Sequence, residues 1–114
     1  MRYFRLSMHA GDPRYTSFPA QPGLEQLRWY IRQTAAGHLT IHEFLQEFRR
    51  LHEDAERLGA PAYASPDEAR AIWDVLWAVE FCAPAAVKIE NPDDWYIPEE
   101  VLVIVQRAAK HLAA

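Results

Sequence analysis

Thr40-Ile41-His42-Glu43-Phe44-Leu45-Gln46-Glu47-Phe48-Arg49-Arg50-Leu51-His52-Glu53-Asp54-Ala55-Glu56-Arg57-Leu58-Gly59 decides the fold class. Thr40 and Glu43 have the spacing of a capping box, in which hydroxyl and carboxylate each accept from a backbone N–H that the first helical turn leaves unpaired. Behind them Ile41, Phe44, Leu45, Phe48, Leu51, Ala55 and Leu58 recur every three or four residues as one apolar stripe, which Gly59 ends. A helix this long with one oily side needs other oily sides to cover it. The flanking sequence therefore decides what those are.

Towards the N-terminus, Pro22 suits a first helical turn, Leu24, Leu27, Ile31 and Ala35 continue at helical spacing, and Gly37 closes the run. The pattern predicts a helix over 22–36, followed by the one over 41–58. Towards the C-terminus, Ser65-Pro66-Asp67-Glu68 joins a capping hydroxyl, a proline at the first helical position and acids at the positive end of the helix dipole. Ala69, Ile72, Trp73, Leu76 and Val79, with Trp77 beside them, then predict a helix over 66–82, which Pro84 ends. Pro98-Glu99-Glu100 opens a fourth, over 98–112, with Val101, Leu102, Val105, Ala108, Ala109 and Leu112 as its apolar face. Residues 83–96 are a long connection for so small a fold. The expectation is an all-α protein, an antiparallel four-helix bundle over 22–114 with an extended N-terminal arm over 1–21 and one strand at Tyr3 to Met8. Phe44, Phe48 and Leu76 are expected in the core, and aromatic burial puts Trp73 and Trp77 there too.

The chain has 114 residues, 50% hydrophobic and 25% charged, which is room for one domain with a core of its own. The single cysteine, Cys82, excludes an intramolecular disulfide and a paired-cysteine zinc site, so a cytoplasmic location is expected. Arg70, Asp74 and Glu80 interrupt the most apolar stretch, and no basic segment followed by an apolar run opens the sequence, so neither a membrane span nor secretion is expected. No Glu-x-x-His occurs, and the helix cap at Thr40 separates His38 from His42. His42 and His52 read as solvated or partly buried helix residues. No glycine-rich phosphate loop exists, and neither a helix N-terminus nor a cation activates Cys82. No catalytic residue, metal or cofactor is therefore expected, and the chain reads as a non-enzyme.

Charge is unevenly spread. Between Ser65 and Glu100 there are nine acids, Asp67, Glu68, Asp74, Glu80, Glu90, Asp93, Asp94, Glu99 and Glu100, against Arg70 and Lys88, although the whole chain carries only −4. Helix dipoles account for the four at helix starts. Glu90, Asp93 and Asp94 instead adjoin Trp95 and Tyr96 in the long connection, a composition that attracts a basic partner by charge and holds it with flat side chains. The same field disfavours nucleic acid. Glu80, one turn from Trp77, must reach solvent, an arginine or a partner.

From Gly37 to Leu112, about two-thirds of the chain, the order of features resembles the colicin D type immunity proteins. The resemblance lies in Gly37-His38-Leu39-Thr40-Ile41-His42-Glu43-Phe44, then Leu76-Trp77-Ala78-Val79-Glu80-Phe81, then the acidic connection into Tyr96-Ile97-Pro98-Glu99-Glu100-Val101-Leu102. It implies a four-helix, non-enzymatic inhibitor that plugs the basic cleft of a tRNA-cleaving toxin domain and imitates the phosphates of its substrate. Partner-binding residues are then expected at Glu80, Glu90, Asp93, Asp94, Trp95 and Tyr96. The alternative is a small adaptor or self-associating bundle, with a homodimer as its partner.

Overall fold

The computed structural model describes His9 and residues 11–113. These are all-helical: a 3-10 turn at Pro13–Tyr15 precedes α1 (Leu24–Ala35), α2 (Ile41–Arg57), α3 (Pro66–Glu80), α4 (Ala85–Glu90) and α5 (Pro98–Ala109). The expected strand at Tyr3 to Met8 lies outside the described residues. The four anticipated helices stand within a few residues of their expected bounds. The long connection is the correction, because it contains α4, a helix of six residues with none buried. It shows no apolar periodicity because it has no buried face.

Local chemistry explains the helix ends. The N–H of His38 donates to Gln33 O at 2.9 Å and that of Gly37 to Thr34 O at 3.1 Å, with Gly37 at φ 85. That pairing is a Schellman end, and it needs the left-handed backbone that glycine adopts without strain. The capping box of α2 closes both ways, Glu43 N to Thr40 Oγ1 at 3.1 Å and Thr40 N to Glu43 Oε1 at 2.9 Å. Ser65 Oγ accepts from Glu68 N at 3.1 Å to start α3.

Helices α1 and α3 both pack on α5, and α2 bridges α1 and α3. Leu27, Ile31, Phe44, Phe48, Leu51, Ile72, Val75, Val101 and Val105 are buried between them, each worth roughly 1.5–3 kcal/mol of transfer free energy. The Phe44 and Phe48 rings stack at 4.7 Å. Leu76 lies at the margin, partly buried against this cluster. Residues 11–21, expected as an extended arm, hold the 3-10 turn and lie against α1. Tyr15 is buried and its hydroxyl meets that of Tyr30 at 2.5 Å, while Trp29 Nε1 donates to Ser17 Oγ at 3.0 Å. Arg14 adds a fork onto Glu43, at 3.0 and 2.7 Å, and this guanidinium holds the Glu43 carboxyl below its ordinary pKa.

Glu68 is the least expected core residue. It is buried, and it accepts Nε and Nη2 of Arg28, each at 2.8 Å. Two more donors, the N–H groups of Ala64 and Ala113, reach it at 2.8 Å. A buried carboxylate persists only when its lone pairs are taken this fully. The clasp ties α1, the start of α3 and the C-terminal segment together. Arg28, ahead of the two backbone donors, lowers the Glu68 pKa to about 2, against the opposing effect of burial.

Candidate functional site

The clasp sets the rotation of α3. With Glu68 inside, Ala71, Ile72, Val75 and Ala78 follow it on the buried face, and Ala71 and Ala78 are small enough to let α5 approach. Trp77 stands nine residues after Glu68, about two and a half turns on, and so on the opposite side. The expectation of a buried Trp73 and Trp77 is therefore overturned: they are 48% and 60% exposed. The helix is apolar on nearly all sides, so its periodicity named Ile72 correctly, with Leu76 and Val79 at the margin, but carried the buried face too far round, onto Trp73 and Trp77.

The exposed side of α3 carries a run of aromatic rings. Trp77 and Phe81 lie 4.6 Å apart between centroids, and Phe81 and Trp95 lie 6.3 Å apart. Trp73 rests edge-on against His52 of α2 at 5.0 Å. Two backbone hydrogen bonds join the connection to the end of α3: Tyr96 N to Phe81 O and Ala83 N to Tyr96 O, both 2.8 Å. They fix Trp95 and Tyr96 beside Phe81. Lys88 Nζ donates to Trp95 O at 3.0 Å and pairs with Glu100 at 3.0 Å, which closes the loop from below.

Three depressions adjoin Trp77: one, towards α5, is lined by Asp67, Arg70, Asp74, Tyr96 and Arg107, and two also reach Phe81. One of these two is lined by Trp77, Phe81, Asp93, Asp94, Trp95 and Tyr96. The other, more apolar, runs between α2 and α3 past Arg49, His52, Glu53, Trp73, Leu76 and Glu80. Five of the six residues expected to bind a partner thus border one continuous face, centred on Trp77. Glu90 lines none of these depressions and stands exposed at the end of α4. Glu80 satisfies two of the three expectations for it, since it is about half exposed and lies 3.5 Å from Arg49 Nη1.

The acidic count also changes with the structure. Glu68 belongs to the interior and Glu100 pairs with Lys88, so neither adds to an open negative surface. Asp93 and Asp94 are exposed, and neither carboxylate makes a hydrogen bond or ion pair to another described residue, the Asp94 N–H alone donating to Asn91 O at 3.1 Å. His52, expected to be solvated or partly buried, is 2% exposed, its Nε2 without a hydrogen-bond partner and its Nδ1 3.6 Å from Glu56. Desolvation lowers its pKa, with Glu56 and Glu53 acting the other way, so a neutral ring suits the edge of Trp73. Burial likewise raises the Cys82 thiol, which leaves it a poor nucleophile.

Compared with protein-family models, curated proteins and solved structures, the chain matches none of them. Among the described residues no helix is long and apolar enough to cross a membrane, and no three His, Cys, Asp or Glu side chains are grouped to hold a metal ion. Sequence reasoning missed Trp73, Trp77 and Phe81 as parts of this face. The signal that identifies them is the placement of Glu68 inside, and nothing local to Glu68 separates it from an ordinary acid in a first helical turn.

Proposed function

We propose that this chain is a non-enzymatic, immunity-type inhibitor, a cytoplasmic protein that binds a basic toxin domain of RNase type through the outer face of α3 and the 91–96 segment and occludes its active site. The observation that carries the reading is Trp77, exposed beside Trp73 and Phe81 and bordered by Glu80, Asp93 and Asp94. Large aromatics with an acidic rim have the makings of a protein interface: the rings supply buried contact area and the charges speed encounter. A basic nuclease cleft is complementary to that rim, whereas nucleic acid carries the same sign and is repelled. In this reading the four longer helices form an antiparallel bundle, residues 1–21 are an N-terminal arm, and Glu90 is an outlying charge. The packing of α5 on α1 and α3 and of α2 across both supports that arrangement.

Exposed Trp73 and Trp77 also favour a second reading, self-association of an adaptor bundle. The acidic rim opposes it, because a two-fold contact sets the same patch on both sides and so brings two negatively charged rims together. Co-expression with the product of the neighbouring open reading frame tests the first reading. Growth protection and a co-purified complex, both lost in Trp77→Ala, are expected; a parent that neither protects nor co-purifies overturns it. Light scattering across a dilution series tests the second, which requires a dimer that dissociates on dilution and that Trp77→Ala abolishes.

A further inference from the structure

The depression that Trp77 shares with Asp93 and Asp94 has a chemistry more specific than a general acidic face. Trp77, Phe81 and Trp95 are set at successive tilts of 43° and 57°, and they share the depression with Tyr96, Asp93 and Asp94. Its one cation, Lys88, is already engaged by Glu100 and by the Trp95 carbonyl. Two carboxylates thus remain uncompensated beside four aromatic side chains. Rings with electron-rich faces and free carboxylates attract the same ligand, a cation able to stack and to donate hydrogen bonds in one plane.

We infer that this depression is a guanidinium pocket, which takes one arginine side chain of a protein partner against the aromatic rings and pairs it with Asp93 and Asp94. Arginine is the occupant because its flat, weakly hydrated head stacks on rings while its fork meets carboxylates; an ammonium group does only part of this. The inference rests on the reading of this face as a contact for a basic protein, and it names which side chain of that protein the face selects.

The chain supplies its own reporters. Its four indoles divide by location: Trp77 and Trp95 line the pocket, Trp73 lines the neighbouring groove, and Trp29 is buried with its N–H on Ser17. The experiment titrates acetyl-Gly-Arg-Gly-amide into the full chain and follows the four indole N–H resonances by NMR. The lysine and citrulline counterparts are titrated in parallel, citrulline being the neutral isostere of arginine. Binding on the order of millimolar is expected for a single side chain, with shifts at Trp77 and Trp95 and none at Trp29. Citrulline should bind at least about tenfold more weakly. Asp93→Asn with Asp94→Asn should produce a similar loss, while an unmoved Trp29 resonance shows that the fold is intact.

Equal binding of arginine and citrulline overturns the inference, as does lysine binding as tightly as arginine, a shift confined to Trp73, or no shift at all. The peptide titration is independent of toxin co-expression. A pocket that binds arginine in a chain that protects no cell overturns only the inhibitor; a chain that protects while ignoring arginine overturns only the pocket.

Discussion

Two aromatic clusters of similar spacing meet opposite fates in this molecule. In the first, Tyr15, Phe18, Trp29 and Tyr30 lie with ring centroids 5.0 to 6.1 Å apart and are closed over by residues 11–21 and α1. In the second, Trp77, Phe81 and Trp95 lie 4.6 to 6.3 Å apart, with Trp77 exposed and Phe81 and Trp95 half-buried beside it. The difference is in the polar ends. Both tyrosine hydroxyls of the first cluster satisfy one another, and Trp29 donates to Ser17; the indoles of Trp73, Trp77 and Trp95 donate to no described residue. An aromatic group whose polar ends are satisfied within the chain is built to stay inside. One whose ends are left free is built to meet water or a partner.

The comparison breaks most readily in the interior. Phe44→Ala or Phe48→Ala should each cost about 3–5 kcal/mol, measured as a fall in the urea midpoint. Leu76→Ala, at the core margin, should cost less than either. An unchanged midpoint in the phenylalanine variants would mean that the buried face of α2 is misassigned.

Glu68→Gln tests the clasp that turns Trp77 outward. It removes the buried charge that Arg28 pairs with and leaves Arg28 only the exposed Glu25, at 2.6 Å, and a loss of roughly 3 kcal/mol at neutral pH is expected. Because the folded pKa lies below the ordinary carboxylate value, the contribution is complete above about pH 4.5 and disappears as pH falls towards about 2. Urea denaturation of parent and variant across that range should therefore converge at the acid end. A gap that stays constant with pH rules out the ion pair as its source.

Trp77→Ala sharpens the contrast, since it should change stability by no more than about 0.5 kcal/mol while weakening the proposed complex with a basic toxin domain by about 2 kcal/mol or more. Titration calorimetry of the complex beside thermal unfolding of the free variant reads both. A variant that unfolds far more easily than the parent places Trp77 with the first cluster instead.

The smallest effect is kinetic. Neutralising Asp93 and Asp94 together should slow association with the basic domain by about tenfold at low salt and much less at high salt. Tyr96→Ala should act on dissociation instead. Stopped-flow association at two ionic strengths separates them, and equal salt slopes for parent and double variant would reduce the acids to a solvated edge.

Helix positions were legible because their signals are local. The Thr40–Glu43 box, the Ser65-Pro66 start and the glycine at 37 each act within one turn of chain, and each forms as its chemistry dictates. Helix α4 was not legible because six residues without a buried face carry no period to detect. Of the site, Asp93, Asp94, Trp95 and Tyr96 stood out through charge beside aromatics. Trp73 and Trp77 were assigned to the core because α3 offers apolar residues on nearly every side.

By itself the amino-acid sequence determined where helices start and stop, that α2 has one oily side, and that negative charge gathers between residues 65 and 100. All three depend on contacts within a few residues, or on composition alone. Only the tertiary structure decided which side of α3 faces inward, that Glu68 is a buried ion-pair partner rather than a surface acid, and that Phe81 joins Trp77 to Trp95. Those outcomes depend on Arg28, Ala113 and Tyr96, which are distant in the chain. Their energy is available only once the helices have met.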